Sequence, residues 1–313
     1  MQMGRSRSPA AHGVGGTQEG RWQVSAIGSL FSGIGLLELG LEQAGLGSVA
    51  WQCEIDQWCR RVLAKHWPEA ERFEDVRTIR PRATDVICGG FPCQPFSVAG
   101  KQRELSDERW LWPEFARVID EAKPAIVVAE NVPGLRARGL RPVLADLAAL
   151  GFDVEWHHFR ASDLGAPHER NRVWIVATHP DRVDVRQQPG WLGRSIGQQV
   201  AAVDRQAGCN ASDANGQRRG RSVQQPVAEA GPAATNADGI GRLESARRFA
   251  IQRGWSRECG WTLDPIARVD DGRKRIVDAG RRRKALGNAV VMPCARAVGR
   301  AIVDAVSVSG GTK

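Results

Sequence analysis

Between residues 24 and 178, short apolar runs alternate with segments of helical periodicity. VSAIGSLF (24–31) is followed by GLLELGLEQAG (35–45), where Leu36, Leu37, Leu39, Gly40 and Ala44 form one helical stripe and Gly45 and Gly47 supply a stop. SVAWQCE (48–54) reads as a second strand, and QWCRRVLAKHW (57–67) as a helix ended by Pro68. DVICGG, AIVVAE and RVWIVAT are short apolar runs bounded by turns or charges. Between the last two lie a helix around RPVLADLAALG and a strand, DVEWHHF. This alternation predicts an α/β fold: a doubly wound, mostly parallel sheet with helices on both faces. In such sheets ligands bind outside the carboxyl ends of the strands. Cys93 and Glu130 each follow a strand and are expected on that edge.

Beyond residue 178 the pattern changes. Between Ala201 and Ala250 the only large apolar residues are Val203, Val223, Val227, Ile240, Leu243 and Phe249, too few for a good core. SDANGQRRGR and TNADGIGRLE form a weak repeat, each an Asn/Asp-Gly turn followed by arginine. Periodicity returns in PCARAVGRAIVDAV, with Pro293 suited to a first helical turn. The organisation expected is a disordered arm at 1–23, a catalytic domain at 24–178, a recognition region at 179–283, and a C-terminal segment at 284–313 that packs back on the catalytic domain.

Charge sharpens this division. The net charge is +9, and 20 Lys/Arg against 12 Asp/Glu fall between His179 and Lys284. A basic segment beside a near-neutral one suggests a polyanion-binding part attached to a catalytic part. Seven cysteines, an odd number without a C-x-x-C pair, argue against a disulfide framework and a cysteine-rich zinc site. No metal is expected, and a reducing cytoplasm fits best. No apolar run approaches a membrane span, and the N-terminus lacks the apolar stretch of a secretory signal.

Two stretches carry candidate chemistry. In GGFPCQPFS, Cys93 sits between Pro92 and Pro95, whose rings fix φ, so a thiol is presented on a stiff loop after a strand. In SLFSGIGLLELG, Gly33 and Gly35 allow close approach of the backbone to a ligand at a helix start. That turn suits a nicotinamide cofactor, a methyl donor, or only a tight turn. A dinucleotide fingerprint places a third glycine where Glu38 stands. Glu54 ends the next strand about 20 residues on, where an acid binds ribose hydroxyls of any adenosine ligand. S-adenosylmethionine, an adenosine without pyrophosphate, fits better than NAD.

FSGIG, FPCQPFS, AENV, RNR and GNAVV, in this order, resemble the DNA (cytosine-5) methyltransferases. The resemblance covers about residues 25–178 and 284–305, and ARVDDG before KALGNAVV resembles phage-borne or prophage members. It implies the S-adenosylmethionine-dependent methyltransferase fold, methylation of C5 of a flipped-out cytosine in double-stranded DNA, and a covalent cysteine adduct at C6. Cys93 would be the nucleophile, Glu130 would hold the N3/N4 edge of the base, and Arg170 and Arg172, alternating at a strand start, would clamp the base carbonyl and a nearby phosphate. Phe31, Gly33, Gly35, Glu54, Asp75, Pro92, Leu111 and Asn288 would surround the cofactor. Ile55 stands where an aromatic residue often stacks on adenine. Gln94, Ser97 and Asn131 would lie at the substrate, and Arg281, Arg282 and Arg283 on DNA. ERWLWPEF and PHERNR depart from the family's usual residues at Trp110, His168 and Glu169. A monomer is expected, with a companion restriction endonuclease as the partner that a restriction role would bring. The readings left open are a catalytically inactive DNA-binding homologue and an RNA cytosine-5 methyltransferase.

Overall fold

The computed structural model describes residues 26–92, 110–185, 189–212 and 279–307. Their order is β1 (Ala26–Leu30), α1 (Leu36–Gln43), β2 (Ser48–Cys53), α2 (Gln57–His66), β3 (Glu71–Phe73), β4 (Val86–Gly89), α3 (Trp112–Ala122), β5 (Ile126–Asn131), α4 (Leu135–Arg138), α5 (Leu140–Ala149), β6 (Asp153–Arg160), a 3-10 turn (Ala161–Leu164), β7 (Asn171–Thr178), α6 (Trp191–Ser212), α7 (Ala279–Asn288) and α8 (Met292–Ser307). The sheet order is β3-β2-β1-β4-β5-β7-β6. β1 to β5 pair in parallel, and β7 runs antiparallel to both neighbours. The short link from β6 to β7 explains the reversal, because a parallel return needs a crossover of a dozen or more residues. The α/β sheet with helices on both faces is as the sequence predicts.

β4 and β5 are buried along their whole length, which is why they read as continuous apolar runs. One face of the sheet packs against α1, α6 and α8, the other against α3 and α5. Several elements lie outside the sequence reading, among them β3, α3 and the core-facing start of α6. β3 is only ERF, without an apolar run. α3 buries Trp112, Phe115, Val118, Ile119 and Ala122. α6 begins within the segment assigned to recognition, yet Trp191, Leu192 and Ile196 are buried in the core, and the Gln199 side-chain amide donates to the Ala297 carbonyl at 3.0 Å. No described helix is long and apolar enough to cross a membrane.

α8 returns to the sheet by crossing α1 at two glycines. A Cβ placed on Gly40 would meet Ala295 Cβ at 2.5 Å and the Met292 carbonyl oxygen at 2.7 Å; one on Gly299 would meet Ala44 Cβ at 2.6 Å. The two backbones are therefore in direct contact, which any side chain at either glycine would prevent.

Glu38, in the first turn of α1, is fully buried between that helix and the sheet. Ser29, Ser32 and Gln52 surround it, yet neither carboxyl oxygen, nor either amide atom of Gln52, has a hydrogen-bond partner of good geometry. Burial pushes the carboxyl up to about 7, against the smaller opposing effect of those polar neighbours.

Two outcomes follow from this packing. Gly40→Ala will destabilise the protein by about 1–3 kcal/mol in denaturant unfolding, because the helices must separate; helix propensity alone would favour alanine by roughly 1 kcal/mol, so a stabilised variant would contradict the close crossing. For Glu38 the folded pKa lies above the unfolded one, so its stabilising contribution is complete below about 4.5 and is lost as pH rises through about 7. Glu38→Gln removes this dependence. The stability of the variant relative to the parent will therefore grow by about 2 kcal/mol between pH 5 and 8, and a difference flat with pH would show that the carboxyl is not held neutral.

Candidate active site

A cavity of about 650 Å³ opens at the carboxyl ends of β1, β4 and β5, within the ~300–1,000 Å³ typical of small-molecule sites. Its walls come from the turn after β1, the start of α2, the loop after β4, the end of β5, Arg172 and residues 284–290. Two separated stretches of chain thus build it, and the second reaches it through α8 packing on α1.

The turn after β1 is left-handed in three places: Phe31 (φ 55°), Gly33 (φ 57°) and Gly35 (φ 86°). Glycine suits the last two because a Cβ disfavours that region. A Cβ on Gly33 would meet nothing within 4 Å, so the turn faces open space. Glu54 holds the turn from the next strand. Its Oε2 accepts from the Gly33 N–H at 2.7 Å and its Oε1 from the Asp56 N–H at 2.8 Å. Burial raises this carboxyl, and the two backbone donors oppose the shift. Asp56 is occupied as the N-cap of α2, accepting from the Trp58 and Cys59 N–H groups. Ile55 is 69% exposed on the cavity wall, an unusual setting for a large aliphatic side chain.

Glu130 lies near the end of β5, 8% exposed on the opposite wall. Arg172 Nε approaches its Oε1 to 2.8 Å as an ion pair, although the N–H is not aimed well enough for a hydrogen bond. Burial raises the Glu130 carboxyl, and Arg172 and then Arg170 pull it back. Asn131 fixes the neighbouring loop: its amide donates to the Phe91 carbonyl at 3.0 Å, and its own carbonyl accepts from the Val132 N–H at 2.8 Å. The Phe91 ring is packed edge-on or tilted against Trp110, Trp112 and Phe115. Pro92, next in the chain, therefore leaves the sheet from a rigid base.

Of the residues singled out from the sequence, the cavity brings together Phe31, Gly33, Glu54, Ile55, Pro92, Glu130, Asn131, Arg172 and Asn288. Gly35 starts α1 and lies behind the wall, where a Cβ would meet the Trp67 ring at 2.3 Å. Asp75 and Leu111 are not among the lining residues; Asp75 pairs with Arg77, and Leu111 caps α3. Arg170 and Arg172 do not present a common fork. Arg170 has φ 26°, which breaks the strand alternation, and it turns to the carbonyls of Gly287 and Ala289. Cys93, Gln94 and Ser97 lie outside the described residues, and Arg281, Arg282 and Arg283 are placed on α7 as backbone only. The sequence reading did not select Ser29, Glu38, Trp58 or Lys284, which also line the cavity. Lys284, which closes the basic run, opens the C-terminal segment and carries no role in the sequence reading. Among the described residues no cluster of metal-ligating side chains occurs.

Four described cysteines, Cys53, Cys59, Cys88 and Cys294, are buried and unpaired. Burial pushes Cys53, Cys59 and Cys294 up to about 12 and Cys88 well above its ordinary value. None of these four can be a thiolate at neutral pH.

Comparison with known proteins agrees with this arrangement. The model of the C-5 cytosine-specific DNA methylase family matches residues 25–201. The type II methyltransferase M.NgoFVII of Neisseria gonorrhoeae is 35% identical over 163 residues, covering 49% of this chain and 43% of that protein. M.Eco47II of Escherichia coli is 38% identical over 172 residues, covering 51% and 41%, and M.PspPI of a Psychrobacter strain 39% over 166 residues, covering 50% and 40%. The match thus spans under half the length of these relatives. With more than half of its length matched by the family model, all seven strands of the sheet included, the chain belongs to the C-5 cytosine-specific DNA methylase family.

Proposed function

We propose that the protein methylates C5 of a flipped-out cytosine in double-stranded DNA, using S-adenosylmethionine. The observation that carries this reading is the pairing, across one cavity, of a glycine turn held by Glu54 with a buried, Arg172-paired carboxyl at Glu130. The first wall suits an adenosine ligand. Gly33 faces open space, Glu54 retains lone pairs for ribose hydroxyls beyond its two backbone bonds, and Ile55 offers an apolar surface for the adenine. S-adenosylmethionine bound there would supply an electrophilic methyl group on a sulfonium.

The second wall suits the base. C5 of cytosine is a weak nucleophile until a thiolate adds to C6, and Cys93 follows Pro92 of the cavity wall directly in sequence. The four described thiols are excluded as thiolates by burial, which supports Cys93 in that role. Glu130, raised by burial, holds the N3/N4 edge and delivers a proton to N3 as the C6–S bond forms. Electron density then moves to C5, which takes the methyl group. Loss of the C5 proton to solvent, departure of the thiolate and return of the N3 proton to Glu130 restore the aromatic ring and the starting enzyme. Arg172 keeps Glu130 oriented and sets how readily it gives up its proton.

The base must leave the duplex to enter a cavity of this kind, so DNA is bent or opened on binding. The segment between α6 and α7, with the Arg281–Arg283 run, carries the charge excess and is assigned to duplex contact. M.NgoFVII, M.Eco47II and M.PspPI are named type II methyltransferases; a restriction role, with a companion endonuclease and a cytoplasmic location, is the setting that agrees with them.

Duplex DNA with 5-fluorocytosine at the target tests the chemistry, because fluorine cannot leave C5 as a cation. With S-adenosylmethionine present, a denaturation-resistant complex will form and map to Cys93. Cys93→Ala will abolish it while duplex binding persists, and Glu130→Gln will slow its formation by at least 10²-fold. An adduct on Cys88, or one that forms equally well in Cys93→Ala, would refute the assignment.

A further inference from the structure

Arg170 was expected to face the base and its phosphate. Its guanidinium is instead committed inside the protein: Nη1 donates to the Gly287 carbonyl at 2.8 Å and Nη2 to the Ala289 carbonyl at 2.6 Å. These two carbonyls flank Asn288 on the cavity wall, 117 and 119 residues away in sequence. Nε is buried without a partner. Each terminal nitrogen already donates to a carbonyl and the Nε edge is enclosed, so the guanidinium is oriented by the protein backbone and not held free for a bidentate phosphate contact.

The backbone agrees with this commitment. Arg170 sits at φ 26°, a conformation that costs a non-glycine residue of order 1–3 kcal/mol unless its surroundings impose it. It enters β7 two residues before Arg172, the partner of Glu130. One strand start therefore controls two walls: Arg172 orients the carboxyl, and Arg170 holds the stretch 287–289. From the other side that stretch is anchored by Val290 and Val291 against the core and by α8 on α1.

We infer that Arg170 is a positioning residue that clamps the Gly287–Ala289 segment as the wall over the methyl-donor half of the cavity, and not a phosphate contact. The inference rests on the proposed cofactor site and adds to it what holds the wall that α7 brings in. Arginine is required because two carbonyls two residues apart need two donors in fixed relation; a lysine ammonium on a flexible stem reproduces the charge without the fork. The clamp also ties the end of the basic region to the strand that bears the Glu130 partner.

Three measurements on the full chain test it: calorimetric affinity for S-adenosylhomocysteine, amide exchange of residues 285–291 without ligand, and the salt dependence of duplex binding. Arg170→Ala and Arg170→Lys are expected to weaken S-adenosylhomocysteine binding at least tenfold and to speed exchange at 285–291 at least tenfold. The salt slope should stay that of the parent, since no phosphate contact is lost. Unchanged exchange with a slope reduced by about one would overturn the inference and return Arg170 to the phosphate. Should Arg170→Ala not fold, Arg170→Lys decides by exchange at 285–291, since lysine keeps the charge that sets the salt slope but not the two-carbonyl fork: exchange at least tenfold faster supports the clamp, and exchange equal to the parent's overturns it. A parent protein that does not bind S-adenosylhomocysteine would defeat the cofactor reading; the exchange measurement would still decide the clamp.

Discussion

The structure depends on the crossing of α1 and α8 at Gly40 and Gly299. The chain leaves the sheet after β7, runs through the basic region, and must return to complete the cavity. Contact between two helix backbones brings it back with little freedom, because Ala295, Met292 and Ala44 occupy the space a side chain would need. Residues 284–290 then fall on the cavity wall opposite the strand ends. α1 begins at the glycine turn itself, so one helix positions both that turn and the 284–290 segment on the same cavity. Close packing of this sort transmits small displacements, since interiors have little spare volume.

Electrostatics divides the cavity in two. On one side Glu54 spends both oxygens on backbone N–H groups, which fixes the turn more than it charges the pocket. On the other side Glu130 is buried beside Arg172, an opposition that holds an acid at intermediate strength. Burial shifts this acid towards its protonated form and the two arginines shift it back, the opposition on which a proton-donating role would depend. The buried cysteines show the complementary rule: desolvation without a nearby cation of comparable effect leaves a thiol inert. In the sequence Cys93 lies between Pro92 and Pro95, directly after the last cavity-lining residue of that stretch.

The strands were legible because a sheet covered on both faces writes continuous apolar runs, as in β4, β5 and β7. β3 was not, since ERF carries two charges and gains its place only by pairing with β2. α3 carries a readable stripe of Trp112, Phe115, Val118, Ile119 and Ala122. In α6, Gly193, Gly197 and several polar residues dilute the stripe of Trp191, Leu192 and Ile196, so a core helix passed for part of the basic region. Much of the site was legible because its residue types follow from chemistry: a turn glycine, an acid after the next strand, an acid at the end of β5. Glu38 was not, because an acid within a helical stripe gives no sign of being the buried member. The partners of Arg170 lie 117 and 119 residues away, a relation that only the folded chain reveals.

The central claim is that one cavity joins a sulfonium methyl group to C5 of cytosine in DNA. The direct measurement supplies tritiated S-adenosylmethionine with double-stranded DNA or with RNA, then digests the product and identifies the labelled nucleoside. Label in 5-methyl-2′-deoxycytidine from the duplex is the result expected. Label confined to RNA, or carried on the exocyclic nitrogen of cytosine, would contradict the account.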